Sequence, residues 1–155
     1  VEVELNEEKT RIVDTSEGGS FGFLGFDLRE AKNRLGKRFI LRTPMKKKQS
    51  ELLRRVGRIL RYCRHRKLPE VLERIRPVIV GWVNYFRVGN SGRAFDWIRF
   101  EMMRKIRRFV MKQKGRPGCG WKRWSNEAIY KRWGLVNQYR VQYIYRSPVK
   151  VSPAH

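Results

Sequence analysis

The sequence predicts an α+β fold: a small antiparallel β head, then a mainly three-helix bundle, then a basic aromatic tail. Three observations predict it. Residues 1–43 alternate apolar and polar side chains between glycine-rich turns, as half-buried strands do. Residues 44–114 place apolar side chains every three or four positions with arginines between them, as helices with one buried face do. Residues 115–155 open on a run of glycines and proline and then interleave Trp and Tyr with Lys and Arg.

The head reads as four strands. "VEVEL" puts Val1, Val3 and Leu5 on one face and Glu2 and Glu4 on the other. "NEEK" is a turn, "TRIVD" a second strand, and "SEGGS" a loop with Gly18 and Gly19 supplying freedom. "FGFLGFDL" is expected as a third strand, "AKNRLGK" as a turn, and "RFILRT" as a fourth strand paired with the third. Gly22 and Gly25 weaken a strand interior. Two readings fit them: a bulge or tight bend, or a ligand backbone lying against the sheet.

The helices follow. Ser50 is a candidate cap for a helix carrying Leu52, Leu53, Val56, Ile59, Leu60 and Cys63 on its apolar side. Arg54, Arg55, Arg58, Arg61, Arg64 and Arg66 lie largely on the other side. Pro69 suits the first turn of the next helix. Pro77 predicts a kink, or a short helix followed by another from Pro77 to Val88. "VGNSG" ends it, and Ser91 is placed to cap a third helix. There Phe95, Ile98, Met102, Ile106, Phe109 and Val110 form the apolar stripe, with Arg104, Lys105, Arg107 and Arg108 crowding the remaining surface. Short connections make the three helices antiparallel neighbours. Trp82, Tyr85 and Phe86 read as core, and Asn84 as an amide fixing a loop or helix end. In the tail, Ser125 to Trp133 fits a short helix and "YRVQYIY" alternates like a strand.

Charge narrows the partner. The chain has 37 Lys and Arg against 14 Asp and Glu, a net charge of +23. The excess is uneven: residues 1–30 hold three basic and eight acidic side chains, whereas residues 31–155 hold 34 and six. A surface this basic repels itself and implies a polyanionic partner. In the tail, Lys122, Arg123, Lys131 and Arg132 stand among aromatic rings, which gives charges for phosphates and planes for bases. The plainer reading is a satellite core of Trp and Tyr with a basic rim. The segment as a whole favours nucleic-acid contact. No run of about 18 apolar residues is present, so no membrane partner is expected. The acidic, alternating start is unlike a signal peptide. Cys63 and Cys119 have no ligand or pairing pattern and read as free thiols in a reducing compartment. No zinc-finger or helix-turn-helix spacing appears, and Asp14, Asp27 and Asp96 are isolated.

Two stretches carry a resemblance. "LNEEKTRIV" followed by "GFLGF" resembles the last two sequence blocks of the reverse-transcriptase palm in group II intron-encoded proteins. "IRPVIVGWVNYFRVGNSGRAFDWIRFEMMRKIRRFV" resembles the maturase-specific thumb, or X, domain of that family, with its Gly-Trp-x-Asn-Tyr-Phe signature at Gly81, Trp82, Asn84, Tyr85 and Phe86. The resemblance covers residues 1–112, and the tail falls in the region of the family's DNA-binding domain. It implies the end of a palm with its primer-grip hairpin over residues 1–43 and a thumb over 44–114, followed by a nucleic-acid-binding tail over 115–155.

On the same resemblance, Phe23, Leu24, Gly25 and Phe26 grip the primer's 3′ end, and Lys9 is an auxiliary catalytic lysine near the nucleotide phosphates. RNA contacts are expected at Arg54, Arg55, Arg58, Arg61, Arg64, Arg104, Arg107, Arg108, Lys122, Arg123, Lys131 and Arg132. The family's Tyr-x-Asp-Asp turn, which helps to hold two metal ions, has no counterpart, since no Asp-Asp pair exists. The expectation is therefore the C-terminal part of a reverse transcriptase and intron maturase, inactive in synthesis alone. Its partners would be intron RNA, RNA/DNA template–primer and a catalytic front half. No cofactor is expected in this chain, and Mg2+ is expected in the complete enzyme. The expected location is the bacterial cytoplasm, associated with nucleoid or RNA, or an organelle matrix. The alternative is a stand-alone basic RNA-binding module.

Overall fold

The computed structural model describes residues 19–142. The strands expected at residues 1–5 and 10–14, Lys9, and residues 143–155 lie outside the described residues, as does the side chain of Arg132.

The described part of the head is a three-stranded antiparallel sheet in the order β1 (Ser20–Phe23), β2 (Phe26–Lys32), β3 (Arg38–Pro44). The stretch expected as one strand with two interior glycines is two strands joined by a two-residue turn. Phe23 pairs with Phe26, which leaves Leu24 (φ 48°) and Gly25 (φ 79°) at the corner. Positive φ at both corner positions matches the right-handed twist of a tight hairpin. The expected hairpin between the third and fourth strands is β2–β3, in register from Phe26 opposite Pro44 to Lys32 opposite Arg38. Its loop is closed by Asn33, whose Oδ1 accepts from the backbone N–H groups of Leu35 and Lys37, both at 2.9 Å.

Three main helices follow: α1 (Lys46–Tyr62), α2 (Leu68–Phe86) and α3 (Gly92–Gln113). Helix α1 begins four residues before Ser50, with Met45 at its N-cap. The strand ends at the buried Pro44, whose carbonyl accepts from Gln49 Nε2 at 2.8 Å, and the chain turns directly into the helix. Helix α2 runs unbroken through Pro77. Val71, Leu72, Ile75, Ile79, Val83 and Phe86 form one buried stripe on both sides of that proline, and Pro77 itself is exposed. Packing holds the helix across the hydrogen bond that proline cannot donate. Ser91 sits at the start of α3 but does not cap it through its side chain. Fully buried, it donates Oγ–H to the Phe86 carbonyl at 2.6 Å and ties the end of α2 to the start of α3.

Helix α1 packs against both α2 and α3. The core does not stop at α3. Ile129 is fully buried, Leu135 and Val136 are buried, and Trp124, Tyr130, Trp133, Tyr139 and Val141 pack against the same cluster. The described part of the tail is thus a layer of the helical domain. It contains a helical segment over residues 126–133, π-helical at Ala128–Arg132. Residues 139–142, expected to start a strand, form none; the Gln142 N–H donates instead to the Arg87 carbonyl at 2.8 Å. No helix among the described residues is long and apolar enough to cross a membrane.

Candidate nucleic-acid interface

Helix α1 separates its side chains cleanly. Leu52, Leu53, Val56 and Leu60 are buried, while Lys47, Arg54, Arg58 and Arg61 recur on the opposite, solvent side. Arg55 flanks that stripe and Arg64 extends it past the helix end, both exposed. Among the described residues none of these five arginines has an ion-pair partner; Lys48 takes Glu51 at 3.0 Å and Arg66 takes Glu70 at 3.4 Å. A face of unneutralised guanidinium groups is what phosphate binding requires.

Helix α3 spends its cations differently. Arg104 is half-buried and paired with Glu101 at 2.7 Å. Arg107, expected to face RNA, is 1% exposed. Its Nε donates to the Trp124 carbonyl at 2.8 Å, its Nη2 donates to Asn126 Oδ1 at 2.6 Å, and its guanidinium lies 4.0 Å from the Trp121 ring centroid. Burial lowers its pKa from the usual arginine value. Arg107 is therefore a pin that fastens the Trp121–Asn126 segment to α3. The sequence does hold a signal for this, since Arg107 shares the buried stripe of Met103 and Val110. Arg108 is exposed, and its Nε donates to Cys119 Sγ at 3.1 Å. Both cysteines are free thiols. Lys122 and Arg123 are exposed, and Lys131 is exposed and paired with Glu127 at 2.6 Å.

The hairpin corner presents apolar side chains to solvent. Phe23 is 59% and Leu24 67% exposed. Phe26, paired with Phe23 across the strands, is half-buried. Its ring centroid lies 5.0 Å from that of Phe86 and 6.0 Å from that of Tyr85. The Tyr85 hydroxyl donates to the Leu24 carbonyl at 2.8 Å, and the Met45 N–H donates to the Gly25 carbonyl at 2.9 Å. The corner is thereby fixed to the end of α2 and the start of α1. Gly25 has one local reason to be glycine, its positive φ; a Cβ there would stand in ordinary contact with Lys48 and Phe86, 3.4 Å from each. At Gly22 a Cβ would strike the Met45 methyl.

The expected core aromatics divide. Phe86 is buried, Trp82 is half-buried 4.6 Å from it, and Tyr85 is 51% exposed with its edge toward Phe86. Asn84 is exposed on a shallow pocket with Arg87, Asn137, Gln138 and Arg140. Two concave features went unread in the sequence. One is a groove of about 990 Å³ between the sheet and the starts of α1 and α3, with Arg29, Lys46, Arg93 and Trp97 on its walls. The other is a cavity of about 330 Å³ beside α3, roofed by Trp121 and Tyr130. Both assemble residues far apart in sequence. Among the described residues no cluster of His, Cys, Asp and Glu is arranged to hold a metal ion.

Taken together, these features define a basic helical domain with a β-hairpin docked on one end and an open arginine face. A family model described as "Group II intron, maturase-specific domain" matches residues 49–139. The chain belongs to that family, which ties it to the maturation of group II introns. The match crosses the boundary expected at residue 114, in keeping with the continuous core that carries α1–α3 and the Trp121–Tyr139 layer. No curated protein matches the chain.

Proposed function

We propose that this chain binds intron RNA through the α1 arginine face and thereby holds the intron in a splicing-competent shape. The observation that carries the reading is the row Arg54, Arg58 and Arg61, exposed and without acidic partners among the described residues, on a domain of the maturase-specific family. The test is a titration of a structured group II intron RNA at several salt concentrations. Affinity falls steeply with salt, because each phosphate contact releases counterions. The triple variant Arg54→Gln, Arg58→Gln, Arg61→Gln binds about a hundredfold more weakly near 0.1 M salt, and its log–log salt slope is shallower by about three. Its melting temperature is unchanged. A flat salt response, or a triple variant with wild-type affinity, defeats the reading.

The same reading extends to DNA synthesis. The exposed Phe23 and Leu24 at a corner fastened to α2 support a primer-grip role for residues 23–26, with template–primer held between hairpin and thumb. Catalysis would come from a front half carrying the Tyr-x-Asp-Asp turn and Mg2+, and Lys9 would lie near the nucleotide phosphates. In this reading the lone chain extends no primer but still binds template–primer, and the protein works where the intron is transcribed, in a bacterial cytoplasm or an organelle matrix. Primer extension with and without a separately supplied front half tests it, and extension by the lone chain refutes it. A stand-alone RNA-binding module is the competing account, and it is favoured if no front half restores extension.

A further inference from the structure

The cavity of about 330 Å³ beside α3 is lined by Asp96, Arg99, Phe100, Met103, Trp121, Asn126 and Tyr130. Its size is at the small end for ligand sites, roughly 300–1,000 Å³. One wall is aromatic: Phe100 and Trp121 stack with centroids 5.6 Å apart and planes 23° apart, and both are about half exposed. The rest of the lining is largely polar, with Asp96, Arg99, Asn126 and Tyr130. The buried Tyr130 hydroxyl has no hydrogen-bond partner among the described residues. Buried polar groups of native proteins are almost always paired, so an orphan hydroxyl on a residue of the cavity lining suits a bound acceptor.

The chemistry of the lining narrows the occupant. Asn126 uses its oxygen to accept from Arg107, which leaves its amide N–H groups to donate. Burial raises the Tyr130 pKa, against the pull of Arg99 and Arg107, so its hydroxyl remains a neutral donor. The available groups are therefore donors seeking carbonyl oxygens. Asp96, paired with Arg99 at 2.9 Å, puts a carboxylate on the rim. A carboxylate opposes a phosphate but accepts readily from a ring N–H. A flat neutral ring that carries a carbonyl beside an N–H satisfies all of these at once. Adenine and cytosine present an amino group where guanine and uracil present that carbonyl.

We propose that this cavity receives one unpaired guanine or uracil of the bound RNA, stacked on the Phe100–Trp121 wall with its carbonyl edge toward Tyr130 and Asn126. The proposal rests on the RNA-binding reading above and adds a point of base recognition to a surface that otherwise reads only phosphates. Helix α3 and the Trp121–Tyr130 layer form the site together, and neither holds it alone.

The probes are a short RNA duplex, fully paired, and the same duplex with one bulged nucleotide that is guanine, uracil, adenine, cytosine or abasic. The guanine and uracil bulges bind about tenfold more tightly than the abasic bulge, the range expected for one stacked base. Adenine and cytosine gain less. Phe100→Ala and Tyr130→Phe each reduce this preference while leaving the melting temperature and the affinity for the paired duplex unchanged. With 2-aminopurine placed beside the bulge, its fluorescence changes on binding to wild type and less so with Phe100→Ala. A wild type that ignores the bulged base, gains equally from all four, or keeps its preference in both variants overturns the proposal and leaves general RNA binding standing. Failure to bind even the paired duplex overturns the RNA-binding reading and this proposal with it.

Discussion

Helices α1 and α3 look alike in sequence, each pairing an apolar stripe with a dense run of arginines, yet they use those arginines in opposite ways. On α1, Arg54, Arg55, Arg58 and Arg61 stand in solvent without ion pairs among the described residues. On α3, Arg104 is paired with an acid, Arg107 is buried and hydrogen-bonded, and Arg108 reaches Cys119. The difference is what comes later in the chain. The layer containing Trp121, Trp124 and Asn126 folds back over α3 and uses its cations as anchors, whereas α1 keeps its arginine row in solvent. An arginine run is a nucleic-acid face only where the rest of the chain leaves it uncovered.

Substituting one arginine on each helix breaks or confirms that contrast most directly. Arg107→Ala removes two hydrogen bonds from a buried cation and strands the Trp124 carbonyl, so stability falls by roughly 2–3 kcal/mol. Arg58→Ala changes stability by less than about 0.5 kcal/mol, as exposed substitutions do, but weakens RNA binding. Denaturant melts and RNA titrations of the two variants decide the matter, and a reversed pattern means the two faces are misassigned.

Between these extremes lies the hairpin. Gly25→Val places a branched side chain at φ 79° and costs roughly 1–2 kcal/mol in backbone strain. Gly25→Asn, which tolerates that region, recovers most of the loss. Lost extension by Gly25→Val together with a supplied front half therefore reports on the turn first, and the two variants compared in melts and in that reconstituted extension separate turn strain from primer contact. Tyr85→Phe removes one partly exposed hydrogen bond to Leu24 and costs about 0.5 kcal/mol. Faster amide exchange at the β1–β2 corner, with the helical domain unchanged, is the expected signature.

The smallest effect is alkaline. Burial raises the pKa values of Tyr130 and Tyr139. Their contribution to stability is present in full below the unfolded phenol value, about 10, and is lost as pH rises above it toward their folded values. Melting temperatures followed from pH 9 upward fall more steeply for wild type than for Tyr139→Phe. Equal slopes would show that Tyr139 is not held in the packed layer.

Local features are legible in the order of residues itself. The three helices, the β2–β3 hairpin and the solvent side of α1 follow from periodicity and turn residues, because a helix or strand places neighbours three, four or two positions apart wherever it lies. The hairpin corner at Leu24–Gly25 is legible in kind, as a glycine-bearing bend, but the six-residue apolar run from Phe21 to Phe26 hides a two-residue turn. Pro77 misleads, since propensity yields to a buried stripe that continues on both sides of it.

What sequence alone determined is the charge, the helical count and the family resemblance, all properties of residues near one another in the chain. The burial of Arg107, the folding back of the Trp121–Tyr139 layer and the cavity between that layer and α3 were decided only by tertiary structure. Each depends on groups more than a dozen residues apart meeting across the core. Whether a cation or an aromatic ring faces solvent or protein is set by what packs over it, and no local pattern records that.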